Sequence, residues 1–234
     1  MKLSFNFLHE WVEPWRAYVS EFLGTFLFVF LASVLVVVSK IYDLDAISMP
    51  VGIASIYTAL IFATLHLSGG FLNPAITVSL WIAKKLTTSK AIFFIISQLA
   101  AGIAATFLVV TVFGGGVYDF AQGAPVLGLG ISGDVAMLFE AIFTAGLVFV
   151  VFATIIDKRG FASLGPLAIG FFLIGAELIA SPLTGGIFNP ARVIGATVLG
   201  RDFELISPFI VGPFVGSLFG LFYEYVFLTS YKKK

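Results

Sequence analysis

The residues of this chain that could do chemistry are few, and their types suit holding and orienting rather than bond making. There is no Cys and there are two His, one near the N-terminus, so no nucleophile with its base and no metal cluster can be assembled, and neither an enzyme nor a bound cofactor is expected. What the sequence does contain is one pattern written twice: Ser68-Gly69-Gly70-Phe71-Leu72-Asn73-Pro74-Ala75 and Thr184-Gly185-Gly186-Ile187-Phe188-Asn189-Pro190-Ala191. In each copy a hydroxyl residue and two glycines let the backbone run irregularly. Asn73 or Asn189 then caps a helix whose first residue, Pro74 or Pro190, lacks an N–H that would go unpaired there anyway. The Asn oxygen can serve the helix N–H groups while its NH2 donors face a passing oxygen, and the carbonyls of Gly69 and Gly185 can supply acceptors along the same path. A single Asn-Pro is an ordinary helix start. Two copies, 116 residues apart in a chain of 234, indicate an internal duplication.

The elements that position these stretches follow from composition. With 59% hydrophobic and 11% charged residues the chain is too apolar for a soluble domain, and a formal net charge of zero argues against nucleic acid. Its solvent is the lipid bilayer. Six apolar stretches, near 15–38, 47–66, 91–113, 135–156, 164–179 and 207–227, are candidates to cross a hydrocarbon core that takes about 20 helical residues. Two more, 74–82 and 190–199, reach only about 15 Å and must stop near the midplane as re-entrant half-helices. The expected fold is therefore an all-α membrane protein of six transmembrane helices and two half-helices. It forms one channel domain over 1–234, with repeats at about 15–113 and 134–229. Because each repeat has an odd number of spans, the second is inverted, and the half-helices meet amino end to amino end.

The remaining polar residues fit this frame. Glu21 with Thr25, and Glu140 with Thr144, open the two repeats, and each carboxylate is expected to accept N–H bonds from the neighbouring irregular loop rather than to carry protons. His66, before the first box, is expected as a hydrogen-bonded strut. Gly102, Gly212 and Gly216 are expected at helix crossings. With both termini cytoplasmic, ten basic residues lie inside and Lys40, Arg192 and Arg201 outside, which satisfies the positive-inside bias. The segment 1–14, with Trp11, is expected at the interface, and the Gly-rich loop 114–134 could fold over the outer mouth. The cell membrane is the expected location.

Two inverted Asn-Pro-Ala boxes (Asn73, Pro74, Ala75 and Asn189, Pro190, Ala191), the second running into Arg192, with an acidic residue opening each half, resemble the aquaporin and glycerol-facilitator (major intrinsic protein) family over nearly the whole chain. The resemblance implies a right-handed bundle, a pore in every subunit, a homotetramer, and passive flow of water and small neutral solutes with protons excluded. It also implies that Arg192 guards an outer constriction whose other positions are Ile53, Glu177 and Gly186. This set differs from the family's usual ones, since Ile53 and Gly186 leave room and Glu177 puts a carboxylate where water channels carry a histidine. Glu177 either pairs with Arg192 and accepts hydrogen bonds from solutes, or faces a neighbouring helix or the mouth. Val193, Thr197 and Phe209 lean towards water, while Ile210 is as in glycerol facilitators. The alternatives are a broader facilitator of glycerol, urea, ammonia or peroxide, and an ion-coupled transporter. The latter would need a titratable path and rocking halves, for which only Glu177, Glu21 and Glu140 are candidates.

Overall fold

The computed structural model describes residues 14–114, 127–200 and 206–229. Trp11, Lys2, Arg201, Lys232, Lys233, Lys234 and most of the loop 114–134 lie outside the described residues. In chain order the helices are α1 (Trp15–Ile41), α2 (Ser48–Thr64), α3 (Pro74–Ile82), α4 (Thr88–Phe113), α5 (Gly133–Val151), α6 (Gly165–Thr184), α7 (Pro190–Gly200), α8 (Ile206–Ser217) and α9 (Phe219–Tyr223). Wider π turns, Phe152–Ile156 and Glu224–Thr229, extend α5 and α9, and a 3-10 turn, Ala162–Leu164, leads into α6. There is no strand among the described residues.

Five of these units are long and apolar enough to cross a bilayer: Trp15–Ile41, Thr88–Phe113, Gly133–Ile156, Ala162–Thr184 and Ile206–Leu228. α2 is shorter than the expected 47–66, with 17 helical residues. Its last turn tightens as Leu67 and Ser68 both donate to the Thr64 carbonyl, at 3.0 Å each, and the chain bends into the first box. α6 runs past the expected 179. Pro182 sits in its final turn, where one lost N–H bond is tolerated, and the helix ends at Gly185, whose φ of 84° reverses the chain. α3 and α7 start at the two prolines and are 9 and 11 residues long, half the length of a span.

The large contacts pair equivalent elements: α1 packs along α4 and α5 along α8, while α2 meets α6 across the molecule. Small residues set these distances. A Cβ on Gly102 would strike the Ala191 carbonyl oxygen, and one on Gly216 the Ala141 carbonyl oxygen, so α4 can touch α7 and α8 can touch α5 only with hydrogen at those positions. Inside, Tyr57, Phe94, Phe152, Phe188 and Phe209 are fully buried, while Leu23, Phe107, Ile142 and Phe171 face outward. An apolar exterior around a core that buries Glu21, Glu140, Glu177 and Arg192 inverts the usual soluble pattern and fits lipid.

Candidate functional site

The two boxes have matching backbones. Gly70 and Gly186 both have φ of 62°, and Leu72 and Phe188, which are not glycines, both sit at 50° in the left-handed region. Holding two large residues there costs energy that must be offset by fixed partners. Those partners are Glu21 and Glu140. Glu21 accepts the Ser68 hydroxyl (2.6 Å) and the N–H groups of Phe71 (3.1 Å) and Leu72 (2.8 Å). Glu140 accepts the Thr184 hydroxyl (2.8 Å) and the N–H groups of Ile187 (3.2 Å) and Phe188 (2.7 Å). Each hydroxyl then accepts the N–H of the second glycine, Gly70 at 3.2 Å and Gly186 at 3.3 Å. Three further residues complete the first network. Gln98 donates to Glu21 (2.7 Å) and to Thr77 (2.9 Å), and the Tyr57 hydroxyl donates to the Phe71 carbonyl (2.8 Å).

His66 is placed differently from the expectation. It is exposed in the turn after α2, and Ser68, two residues on and facing inward, ties the loop to Glu21 instead.

The two loops cross at the centre. Asn73 Oδ1 accepts the Ala75 N–H and Asn189 Oδ1 accepts the Ala191 N–H, both at 2.9 Å, so each caps its half-helix. Each Nδ2 donates to the other loop: Asn73 to the Phe188 carbonyl and Asn189 to the Leu72 carbonyl, again at 2.9 Å. One amide hydrogen of each pair is therefore spent on the crossing, and one remains. The left-handed residues Leu72 and Phe188 aim these carbonyls at the opposite Asn, which accounts for their strained φ.

Arg192, in the first turn of α7, is buried. Its Nη1 donates to Glu177 Oε1 (3.0 Å) and to the carbonyls of Gly186 (2.6 Å) and Ile187 (3.2 Å), and its guanidinium lies 5.8 Å from the centre of the Phe28 ring. Glu177 is also buried and accepts the Ser181 hydroxyl with its other oxygen (3.1 Å). Of the two readings of Glu177, the structure has the pairing one. The room that Gly186 leaves is not open, for a Cβ there would lie 2.6 Å from Glu177 Oε2. The glycine accommodates the carboxylate. Phe28, Ile53, Glu177 and Arg192 line one cavity with Asn73 and Asn189, and it has room for about one water molecule. Of the loop 114–134, the described end reaches the same region: Gly128 donates to the Leu183 carbonyl at 2.8 Å, and Leu127 packs on Ile187, Val193 and Phe209. Among the described residues no cluster of three or more His, Asp or Glu could hold a metal.

Inverted half-helices meeting at two capping Asn side chains beside a buried Arg define a membrane channel fold, and comparison with known proteins agrees. The family model for the major intrinsic protein matches residues 9–224, and the chain belongs to that family. It is similar to Probable aquaporin TIP2-2 of Arabidopsis thaliana, 35% identical over 94% of this chain and 90% of that protein. It is likewise similar to Probable aquaporin TIP3-1 of Oryza sativa subsp. japonica, 36% identical over 92% and 83%. Among solved structures it superposes on the aquaglyceroporin from Plasmodium falciparum with a TM-score of 0.82, covering 94% of this chain and all of that one at 23% identity, a likeness of fold.

Proposed function

We propose that the protein is a passive channel for water and other small uncharged solutes, and that it excludes ions and protons. The observation that carries this reading is the crossing of Asn73 and Asn189. Each amide is locked by its cap and by the opposite loop, leaving one N–H donor apiece at the meeting point of two helix amino ends. A water oxygen held by those donors points its hydrogens away along the path, which interrupts a proton-conducting chain. The two helix amino ends add about half a positive charge each and repel cations. The aquaporin relatives support water as the main solute.

Ile53, Glu177, Gly186 and Arg192 form the selectivity constriction in this reading. Glu177 neutralises Arg192, so charge repulsion rests mainly on the helix ends, while the carboxylate offers acceptors to solutes that donate hydrogen bonds. That favours, as a second reading, passage of ammonia, urea or glycerol beside water. Glu21 and Glu140 support the loops. The domain comprises repeats at about 15–113 and 134–229, supported by the equal φ angles of the two boxes. A homotetramer in the cell membrane with cytoplasmic termini completes the reading, the last supported by the basic residues.

The test is stopped-flow light scattering on reconstituted vesicles, with water and glycerol measured in one preparation for the parent and for Glu177→Gln. Fast water flow with little glycerol flow in the parent, and a changed glycerol-to-water ratio in Glu177→Gln, is expected. An unchanged ratio in the variant would remove Glu177 from the constriction, and water flow no faster than in empty vesicles would refute the channel.

A further inference from the structure

A second cavity lies beside the first box. It is lined by residues that include Tyr57, Ile61, Phe71, Ile76 and Ile169, and it too has room for about one water molecule. Among the described residues Tyr57 is the one that lines both cavities. It lies one helical turn after Ile53 on the same face of α2, is buried, and rests against Phe28 with ring centroids 4.6 Å apart. Its hydroxyl is fixed by the 2.8 Å bond to the Phe71 carbonyl. A ring held by a tilted contact with Phe28 on one side and by a hydrogen bond at its tip cannot swing aside without losing both.

The duplication sharpens the contrast between the cavities. With the 116-residue offset of the boxes, Ile61 stands where the second repeat has Glu177, Ile76 where it has Arg192, and Tyr57 where it has Leu173. The second cavity is thus the apolar image of the first. Around it the Tyr57 hydroxyl is already used, so its side chains discriminate by size and by the cost of desolvation rather than by charge.

We infer that Tyr57 is a specificity-determining residue that sets the size limit of the path, in series with the outer constriction and independent of the Glu177–Arg192 pair. This rests on the channel reading. Where the matched position has Leu, the shorter and unanchored side chain would admit a solute with a carbon skeleton. A still larger ring at 57 would obstruct even water.

The experiment measures water and glycerol permeability of vesicles holding the full chain, as parent, Tyr57→Leu and Tyr57→Trp. Parent water flow above that of empty vesicles checks the channel reading by itself; its absence refutes that reading and this inference with it. Given that flow, Tyr57→Leu is expected to raise the glycerol-to-water ratio about tenfold, the order by which a pocket discriminates small differences in size. A ratio equal to the parent's overturns the inference. If Tyr57→Leu is not recovered as folded protein, Tyr57→Trp decides: water flow reduced several-fold supports a limit at this ring, and parental flow contradicts it.

Discussion

Glu21 and Glu140 each hold two backbone N–H groups and a hydroxyl of a loop that has no regular structure of its own. Removing an acceptor from buried donors costs about 1–3 kcal/mol for each group left unpaired. Glu140→Ala is therefore expected to lower the thermal stability of the detergent-solubilised protein by several kcal/mol. Glu21→Ala should cost at least as much, because it also removes one of the two acceptors of the Gln98 amide. Melting curves for both variants equal to the parent's would contradict this role. Arg192→Val leaves the Glu177 carboxylate buried without its cation, and losing one partner of a buried pair costs about 3–5 kcal/mol. Replacing Glu177 by Gln in the same chain should recover part of that loss, measured as the difference in melting temperature. No recovery would mean that the pair does not carry the energy. At this scale the sequence showed much: the Asn caps, the acids and Arg192 all stand out as polar residues in apolar surroundings. It did not show Tyr57, since an aromatic at helical spacing reads as core. Nor did it reveal the use of Gly186, because that depends on the turn of α6 that brings Glu177 beside it.

The elements hold their places through close contacts and through the short connections at one face. Gly102→Ala would drive a methyl group into the Ala191 carbonyl and push α4 from α7. Overpacking of this kind costs about 1–3 kcal/mol. A variant as stable as the parent in a thermal melt would show that the crossing has slack. At the turn after α5, Asp157 accepts bidentate bonds from Arg159, a third from the Arg159 N–H at 3.0 Å, and the Tyr223 hydroxyl at 3.2 Å, tying this turn to α9. Arg159 holds the carboxyl down, from an ordinary 3.8 to about 2. A carboxyl depressed in the folded state contributes stability that is full above its unfolded value and fades as pH falls through the folded one. Asp157→Asn should accordingly be less stable than the parent at neutral pH, with the gap closing between about pH 4 and about pH 2. A gap of constant size across that range would contradict the ion pair. The half-helices were legible to the residue at their starts because Asn-Pro fixes both cap and first turn. Helix ends were less so. α2 stops early where the chain turns tightly on the Thr64 carbonyl, and α6 continues through Pro182 until the left-handed Gly185 ends it.

As a whole molecule the protein joins two halves by bonds that cross at its centre, and this favours a rigid conduit over a rocking transporter. Moving one half against the other would break both Asn side-chain bonds, Asn73 to Phe188 and Asn189 to Leu72. Fold class was readable from hydropathy and from the doubled box alone, because lipid permits few architectures. The cavity beside the Glu177–Arg192 pair and its wholly apolar counterpart were not, since they arise only when residues of α2, α6 and the loops come together. The central claim is that water passes this crossing and protons do not. It is tested most directly by reconstituting the parent into vesicles loaded with a pH-sensitive dye, and recording osmotic shrinkage and the decay of an imposed pH gradient on the same sample. Water flow far above that of empty vesicles, with proton leak at their level and no dependence on an ion gradient, is the predicted result. Proton leak rising in step with water flow, or water flow that needs an ion gradient, would contradict it.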